Sequence, residues 1–235
     1  MLISKSNVFK VIVIDFFSYP FNFVNLSLIF ICHVFFKAIL RYDFNKVYIL
    51  FKSYLIVMCV EYIKNKYYIT KLSEKHDLNG FSCGLDDMDD FLKNDALNQQ
   101  IDNLNVTYLA MYDEEIIGFF SLLSDSIRLE DIGNEYDLPY STCPAIKIGR
   151  FAINEKYNSL GLGTVLLDNT CYQIKRISEI LGVRFITVDA YCNVRGFYYK
   201  NEFNHLKIHN ERKLRRTAQR NPYLTIPLYK DLKRL

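Results

Sequence analysis

The stretch from Ala145 to Cys171, AIKIGRFAINEKYNSLGLGTVLLDNTC, decides how the fold of this chain is interpreted. An apolar strand pattern leads into a polar loop, and Gly161-Leu162-Gly163-Thr164 then opens an amphipathic helical pattern. The first turn of a helix leaves backbone N–H groups without intrahelical partners, and aligned peptide dipoles add partial positive charge there. Glycines let a phosphate approach those amides closely. The spacing therefore predicts a pyrophosphate site at the start of this helix.

Other loops built around glycine can be compared with this one. A Rossmann fingerprint needs a third glycine three residues after Gly163, but that position is Leu166. A Walker A loop needs Gly-Lys-Ser/Thr, whereas Thr164 and Val165 follow Gly163 here. The remaining alternative is a tight turn in which glycine merely permits a positive φ. On spacing alone, the pyrophosphate site and the tight turn both stay open.

The chain after residue 58 alternates between strand and helix patterns. Acidic residues 113–115 separate two apolar runs and predict a hairpin. Together the patterns predict an α/β fold with a mixed central sheet and helices on both faces, preceded by an apolar N-terminal extension. The predicted strands are Lys66–Leu72, Val106–Tyr112, Ile116–Leu123, Ala145–Ile153, Arg184–Ala190 and Tyr223–Tyr229, and the predicted helices are Leu85–Gln100, Gly161–Leu181 and Asn193–Lys200.

The first 57 residues differ in character from the rest. Phe16–Phe36 holds 21 residues without a charge, a length that can span a bilayer, although Pro20 and two asparagines interrupt it. The region is made largely of residues that AT-rich codons encode, and Met58 directly precedes the first predicted strand. Three hypotheses follow for residues 1–57: an over-extended reading frame, a membrane anchor, or a soluble helical extension. Residues 58–235 are predicted to form the main domain.

Charge and cysteine content indicate the environment and the class of partner. Residues 1–57 carry a net charge of +4 and residues 211–235 one of +6, so residues 58–210 carry −7 within the total of +3. The basic cluster in Lys207–Arg220 predicts either contact with RNA phosphates or a solvated surface segment. The six cysteines form no CxxC pair and have no histidine at a ligand spacing, which predicts reduced thiols, a cytoplasmic protein and no metal site.

The loop sequence Asn158-Ser159-Leu160-Gly161-Leu162-Gly163 resembles the Arg/Gln-x-x-Gly-x-Gly/Ala signature of the GNAT N-acetyltransferase superfamily, over about residues 66–229. Asn158 replaces the first signature residue and is one methylene shorter than glutamine. The resemblance implies acetyl-CoA as co-substrate, with the pyrophosphate on the loop and pantetheine along the preceding strand. The implied coenzyme A contacts are Phe151, Ala152, Ile153, Asn158, Ser159, Leu160, Gly161, Leu162, Gly163, Thr164 and Asn193.

A second segment, Asn193-Val194-Arg195-Gly196-Phe197-Tyr198, is similar to the family's Asn-x-x-x-Phe-Tyr motif. The resemblance implies that Tyr198 is the general acid that protonates the departing thiolate. Direct transfer needs no covalent enzyme intermediate and therefore no cysteine nucleophile. Asp189 is a candidate general base, and its alternative role is to cap the turn Ala190–Asn193.

A narrower resemblance links FSCGLDDMDDFLKNDALNQQ, IGRFAIN and FYYKNEF to acetyltransferase toxins of toxin–antitoxin pairs, although Glu202 stands where those proteins have glycine. It implies aminoacyl-tRNA as the amine-bearing acceptor, with an antitoxin protein and a second copy of the chain as partners; a membrane would be a partner only if residues 1–57 insert. The alternative function is a non-catalytic GNAT-like module that binds RNA through the basic C-terminal segment.

Overall fold

The computed structural model describes residues 62–132, 136–158, 160–206, 216, 219–221 and 223–235. The hypotheses on residues 1–57 and the prediction for Ser159 lie outside these ranges, as does most of the basic segment Lys207–Arg220. Within the described ranges, no helix is both long enough and apolar enough to cross a membrane. The same ranges contain no cluster of side chains suited to hold a metal ion.

Among the described residues, a short helical turn at residues 62–66 precedes seven strands and five α-helices. The strands are β1 (Tyr68–Lys71), β2 (Val106–Tyr112), β3 (Glu115–Arg128), β4 (Thr142–Ile153), β5 (Phe185–Tyr191), β6 (Asn204–His205) and β7 (Thr225–Asp231). The helices are α1 (Asp86–Asp90), α2 (Ala96–Ile101), α3 (Leu129–Ile132), α4 (Leu162–Ile180) and α5 (Arg195–Lys200); a π-helical turn, Phe91–Asp95, joins α1 to α2.

The strands form one mixed sheet in the order β1-β2-β3-β4-β5-β7-β6. Every neighbouring pair is antiparallel except β4 and β5, which the crossover helix α4 connects in parallel. The predicted hairpin between β2 and β3 is confirmed. Its two loop residues, Asp113 and Glu114, have φ values of 50° and 65°, the backbone conformation that lets a two-residue turn match the twist of its strands.

Helices cover both faces of the sheet, as predicted. Phe119 and Phe120 are neighbours on β3 and lie in different apolar clusters, because successive strand side chains point to opposite faces. Phe120 shares its cluster with Leu166 of α4, whereas Phe119 packs with Leu92 of the π-helical turn. The apolar stripe of α4, buried at positions such as Leu166, Leu167 and Ile174, fixes this helix against the first face.

The main departures from the sequence prediction are local. The helix predicted over Leu85–Gln100 contains the π-helical turn, in which Phe91 and Leu92 are both buried. β3 extends five residues past its predicted end at Leu123 because it pairs with β4 as far as Arg128, where its partner is Thr142. The short helix α3 and the edge strand β6 were not predicted, since neither is long enough to show a periodic pattern.

Candidate active site

The central feature of the sheet is a wedge between its two parallel strands. β4 and β5 pair over only four residues, and the last pair is Ile148 with Val188. Beyond that point β4 continues to pair with β3 as far as Ile153, and β5 continues to pair with β7 as far as Tyr191. The inner edge of β4 from Gly149 to Ile153 is therefore paired with no described strand. Backbone groups on such an edge are available to a ligand.

A β-bulge lies where the two strands part. β3 pairs Ser121 with Arg150 and Leu122 with Ile148, so Gly149 has no partner residue in the ladder. A Cβ on Gly149 would lie 2.7 Å from Leu123 Cδ2 and 3.1 Å from Ser121 Oγ, and this crowding favours glycine. An isolated glycine within a strand pattern is the sequence signal for such a bulge, and Gly149 is a glycine of this kind.

Two of the residues predicted to line pantetheine lie on the same face as α4. Phe151 stacks on Phe197 of α5, with ring centroids 6.0 Å apart and 28° between the planes. Ile153 lies beside the start of α4, since a Cβ on Gly163 would be 3.7 Å from Ile153 Cγ1. Ala152 points to the other face, where it is buried in the cluster that contains Phe119. The wedge edge, the start of α4 and the aromatic side of α5 thus meet at one place.

The glycine loop makes a left-handed turn at the start of α4. Gly161 is the N-cap residue of α4 and has a φ of 79°. The side chain of Leu162 is only 1% exposed and anchors the helix start in the core. Since the first backbone bond of α4 runs from the N–H of Val165 to the carbonyl of Gly161, at 3.5 Å, the amides before Val165 precede the helical ladder.

The other predicted loop contacts flank this helix start. Asn158 is exposed and ends a 3-10 turn, Glu155–Tyr157, through an N–H bond of 3.2 Å to the carbonyl of Glu155. Leu160 is half-buried and Thr164 is exposed. The sequence left a pyrophosphate site and a tight turn as alternatives, and the two are compatible in the structure. Gly161 forms a tight turn, and this turn lies at the start of α4, where the first backbone amides precede the helical ladder.

Tyr198 is buried in the core beside the wedge and is only 6% exposed. Its ring packs edge-on against Phe197 at 5.1 Å and against Phe203 at 5.5 Å. Desolvation by burial raises the pKa of the Tyr198 phenol, and the nearby Cys171 thiol raises it further. The phenol is therefore held in its protonated form at neutral pH.

Two toxins are similar in sequence to part of this chain. No protein-family model matches the chain. A tRNA-acetylating toxin of Mycobacterium tuberculosis is 27% identical over 136 residues, which cover 57% of this chain and 81% of that protein. A probable toxin TacT of Sinorhizobium fredii is 28% identical over 122 residues, covering 49% of this chain and 67% of that protein.

Solved structures of toxins share the fold of this chain. A Tyr-to-Phe mutant of KacT matches with a TM-score of 0.61 at 18% identity, covering 72% of this chain and 96% of KacT. AtaT in complex with acetyl-methionyl-tRNAfMet matches with a TM-score of 0.60 at 19% identity and the same coverage of both chains. The chain has the GNAT fold. The predicted fold class and the predicted resemblance to acetyltransferase toxins are thereby confirmed.

The second face of the GNAT wedge carries a polar group of side chains. Asp189 of β5 pairs with Lys147 of β4 at 2.5 Å, and the Tyr191 hydroxyl donates a hydrogen bond to Asp87 of α1. The guanidinium of Arg150 lies 5.1 Å from the centroid of the Phe91 ring. These residues lie on the side of the sheet opposite α4.

The alternative role of Asp189 as a turn cap is wrong. Backbone groups close that turn, since the Val194 N–H bonds the carbonyl of Tyr191 at 3.0 Å and the Cys192 N–H bonds that of Leu224 at 2.9 Å. Asn193, a predicted coenzyme A contact, is exposed within the same turn. The Asp189 carboxylate is instead held by Lys147 across the last part of the parallel ladder.

Sequence reasoning missed two residues that the structure brings to the site. Phe197 stacks on Phe151 and also lies 3.4 Å from where a Cβ on Gly163 would be, so it joins all three elements of the GNAT wedge. Lys64, in the helical turn at residues 62–66, places its Nζ 3.7 Å from an ideal Cβ on Gly161. The position of Phe197 in the quoted motif was a usable signal, whereas nothing in the sequence near Lys64 links it to the loop.

Proposed function

We propose that this chain is an acetyl-CoA-dependent N-acetyltransferase whose acceptor is the amine of aminoacyl-tRNA. The observation that carries the proposal is the wedge beyond Ile148 and Val188, with the positive-φ Gly161 at the helix start beside it. An unpaired strand edge suits an extended amide chain such as pantetheine, and free helix amides suit a diphosphate. The two ends of acetyl-CoA therefore have matching partners on adjacent elements.

The acceptor class rests on the relatives. One is named a tRNA-acetylating toxin, and the AtaT structure contains acetyl-methionyl-tRNAfMet. A further solved structure, of AtaTR bound with AcCoA, matches with a TM-score of 0.57 at 20% identity. We infer the same donor and acceptor classes for this chain, with the basic C-terminal segment favouring a polyanionic acceptor.

The reaction needs few groups from the protein. The unprotonated amine attacks the thioester carbonyl, the new C–N bond forms, and the C–S bond breaks to release a thiolate. A backbone N–H on the free edge of β4, next to the bulge at Gly149, can donate to the developing oxyanion. Tyr198 is our candidate to supply the proton to the thiolate. Asp189 is our candidate to accept the proton that the amine loses.

The residues proposed to hold acetyl-CoA divide by the part that they bind. Phe151, Ala152 and Ile153 line pantetheine through the backbone of β4. The diphosphate lies on the loop, and Asn193 lies beside the coenzyme. The loop residues in this assignment are Asn158, Ser159, Leu160, Gly161, Leu162, Gly163 and Thr164.

The resemblance to toxins also supports proposals for the partners and the compartment of this chain. Solved structures include AtaT bound to the C-terminus of the antitoxin AtaR, with a TM-score of 0.56 at 19% identity, and a KacTA–DNA complex, with a TM-score of 0.55 at 19% identity. We propose an antitoxin protein and a homodimer as partners of this chain, and the cytoplasm, where charged tRNA is found, as its location.

The test is transfer of radiolabelled acetyl from acetyl-CoA to a pool of charged tRNA by the full-length chain. We expect label in N-acetyl-aminoacyl groups that alkaline hydrolysis releases from the tRNA, and no label on tRNA deacylated beforehand. Acetyl-CoA binding without transfer to any charged tRNA would overturn the proposed acceptor. Binding of tRNA with no binding of acetyl-CoA would favour the non-catalytic RNA-binding module.

A further inference from the structure

The glycine loop is short of positive charge for the ligand assigned to it. Residues 158–164 include no Lys or Arg, and the signature position is occupied by the short amide side chain of Asn158. The end of a helix supplies about half an elementary charge. A diphosphate carries two negative charges at neutral pH, so a neighbouring cation from outside the signature would stabilise it.

Lys64 is placed to supply that cation. Its Nζ lies 3.7 Å from the position that a Cβ on Gly161 would occupy, on the residue where α4 begins. Lys64 is half-buried, whereas Lys66 in the same turn is exposed. The ammonium group of Lys66 lies 5.9 Å from the ring of Tyr62, so two lysines of one turn have different surroundings.

The turn that carries Lys64 is anchored on both sides. Ile63 is 3% exposed and belongs to the core cluster that includes Leu162 and Leu166 of α4. The Tyr67 N–H bonds the carbonyl of Ile63 at 2.9 Å, and the Asn169 amide of α4 donates to the Tyr67 hydroxyl at 3.1 Å. The turn is therefore fixed to the same helix whose first residues form the loop.

We propose that Lys64 binds the diphosphate of acetyl-CoA and takes the place of the basic residue that the loop signature lacks. This inference rests on the proposed function, because it assigns a further ligand residue to the same co-substrate. Hydrogen bonds to charged partners are stronger than neutral ones, and a lysine acts on phosphate as a point charge. The residues just before β1 are thus part of the binding site and not only a connection to it.

The experiment is calorimetric titration of acetyl-CoA into the full-length wild type and into Lys64→Met, Lys64→Arg and Lys66→Met. Methionine keeps the aliphatic stem and removes the charge. We expect Lys64→Met to raise Kd about tenfold, Lys64→Arg to recover most of that loss, and Lys66→Met to change Kd by less than about twofold. Thermal unfolding checks that all variants are folded.

The outcomes separate the two proposals. A wild type that binds acetyl-CoA together with a Lys64→Met variant of equal affinity overturns the role of Lys64 and leaves the proposed function standing. A folded wild type that does not bind acetyl-CoA overturns the proposed function. If Lys64→Met unfolds, the Kd of Lys64→Arg for acetyl-CoA is measured at several salt concentrations instead. This Kd should rise with ionic strength, because salt screens a charge contact at the diphosphate, and a Kd independent of salt would overturn the role of Lys64.

A second ligand tests which phosphate is bound. With 3′-dephospho-acetyl-CoA, which keeps the diphosphate and lacks the 3′-phosphate, the ratio of Kd values between Lys64→Met and wild type should remain about tenfold. If the ratio falls to one with this ligand, Lys64 binds the 3′-phosphate and its assignment to the diphosphate is wrong.

Discussion

Ile148 of β4 and Val188 of β5 are the last paired residues of the parallel ladder, and the candidate active site lies just beyond them. Had the ladder continued, β5 would have occupied the edge of β4 that is proposed to hold pantetheine. The bulge at Gly149 lies directly after Ile148, and a bulge bends and twists its strand. The separation of two strands and one additional residue in β4 thus form the candidate site together.

The two loop glycines should respond differently to a methyl group. Gly161 has a φ of 79°, so Gly161→Ala should lower the free energy of unfolding by about 1–2 kcal/mol and weaken acetyl-CoA binding. Gly163→Ala places its Cβ 3.4 Å from Phe197, an ordinary contact, and should change stability by less than about 1 kcal/mol. Urea denaturation and calorimetry of both variants measure this. Equal effects would mean that the conformation of Gly161 is not what the loop requires.

Removing one hydroxyl group should separate catalysis from binding. Tyr198→Phe should reduce acetyl transfer more than tenfold, because general acids contribute about 10²–10⁴ in rate. It should leave the Kd for acetyl-CoA nearly unchanged, since the ring keeps its packing against Phe197 and Phe203. Single-turnover rates beside calorimetry measure both quantities. A variant that transfers acetyl at the wild-type rate would remove Tyr198 as the acid.

The burial of the same phenol should appear in the pH dependence of stability. Its pKa is raised above the unfolded value of 10.0, so the folded state favours the protonated phenol. The stabilisation that comes from this pKa difference is fully present below pH 10, and it is lost as pH rises from 10 through the pKa of the folded state. Between pH 8 and pH 11, urea denaturation should show a smaller loss of stability for Tyr198→Phe than for wild type. Identical losses would place the hydroxyl in water in the folded protein.

Glu202 occupies a conformation that glycine adopts more readily. Its φ is 64°, and its carboxylate, 76% exposed, lies 3.3 Å from Lys230. This ion pair is weak because the Glu202 carboxylate is exposed to solvent. When the carboxylate is removed, the Lys230 ammonium still donates its 3.0 Å hydrogen bond to the carbonyl of Asn201. Glu202→Gly should therefore raise the free energy of unfolding by about 0.5–1 kcal/mol.

The control for this change is Glu202→Ala, which keeps a Cβ at the same backbone angle and removes the carboxylate. Glu202→Ala should not raise the free energy of unfolding, as measured by urea denaturation. A Glu202→Gly variant less stable than Glu202→Ala would show that backbone strain at position 202 is small.

The sequence predicts the elements of this fold well where the pattern is long and regular. β2 has the predicted bounds, and α4 differs from the prediction by one residue at each end, because strong apolar periodicity sets both. The loop glycines were also found from spacing and resemblance. Local backbone geometry was harder to predict, and the π-helical turn at Phe91–Asp95 lies in a sequence that otherwise has a regular helical pattern.

Contacts between distant parts of the chain were beyond the sequence pattern. The ion pair of Asp189 with Lys147 depends on the register of two strands separated by a whole helix. Lys64 and Gly161 are nearly a hundred residues apart and meet only because Ile63 and Tyr67 fix the leading turn to α4. Single-sequence periodicity contains no information about such pairs.

The most direct measurement is amide hydrogen exchange of the full-length chain with and without saturating acetyl-CoA. We predict slower exchange at residues 149–153 and 161–164, where the strand edge and the helix start receive the ligand, and unchanged exchange in β7. Binding of acetyl-CoA without protection at these two segments would contradict the placement of the site in the wedge between β4 and β5.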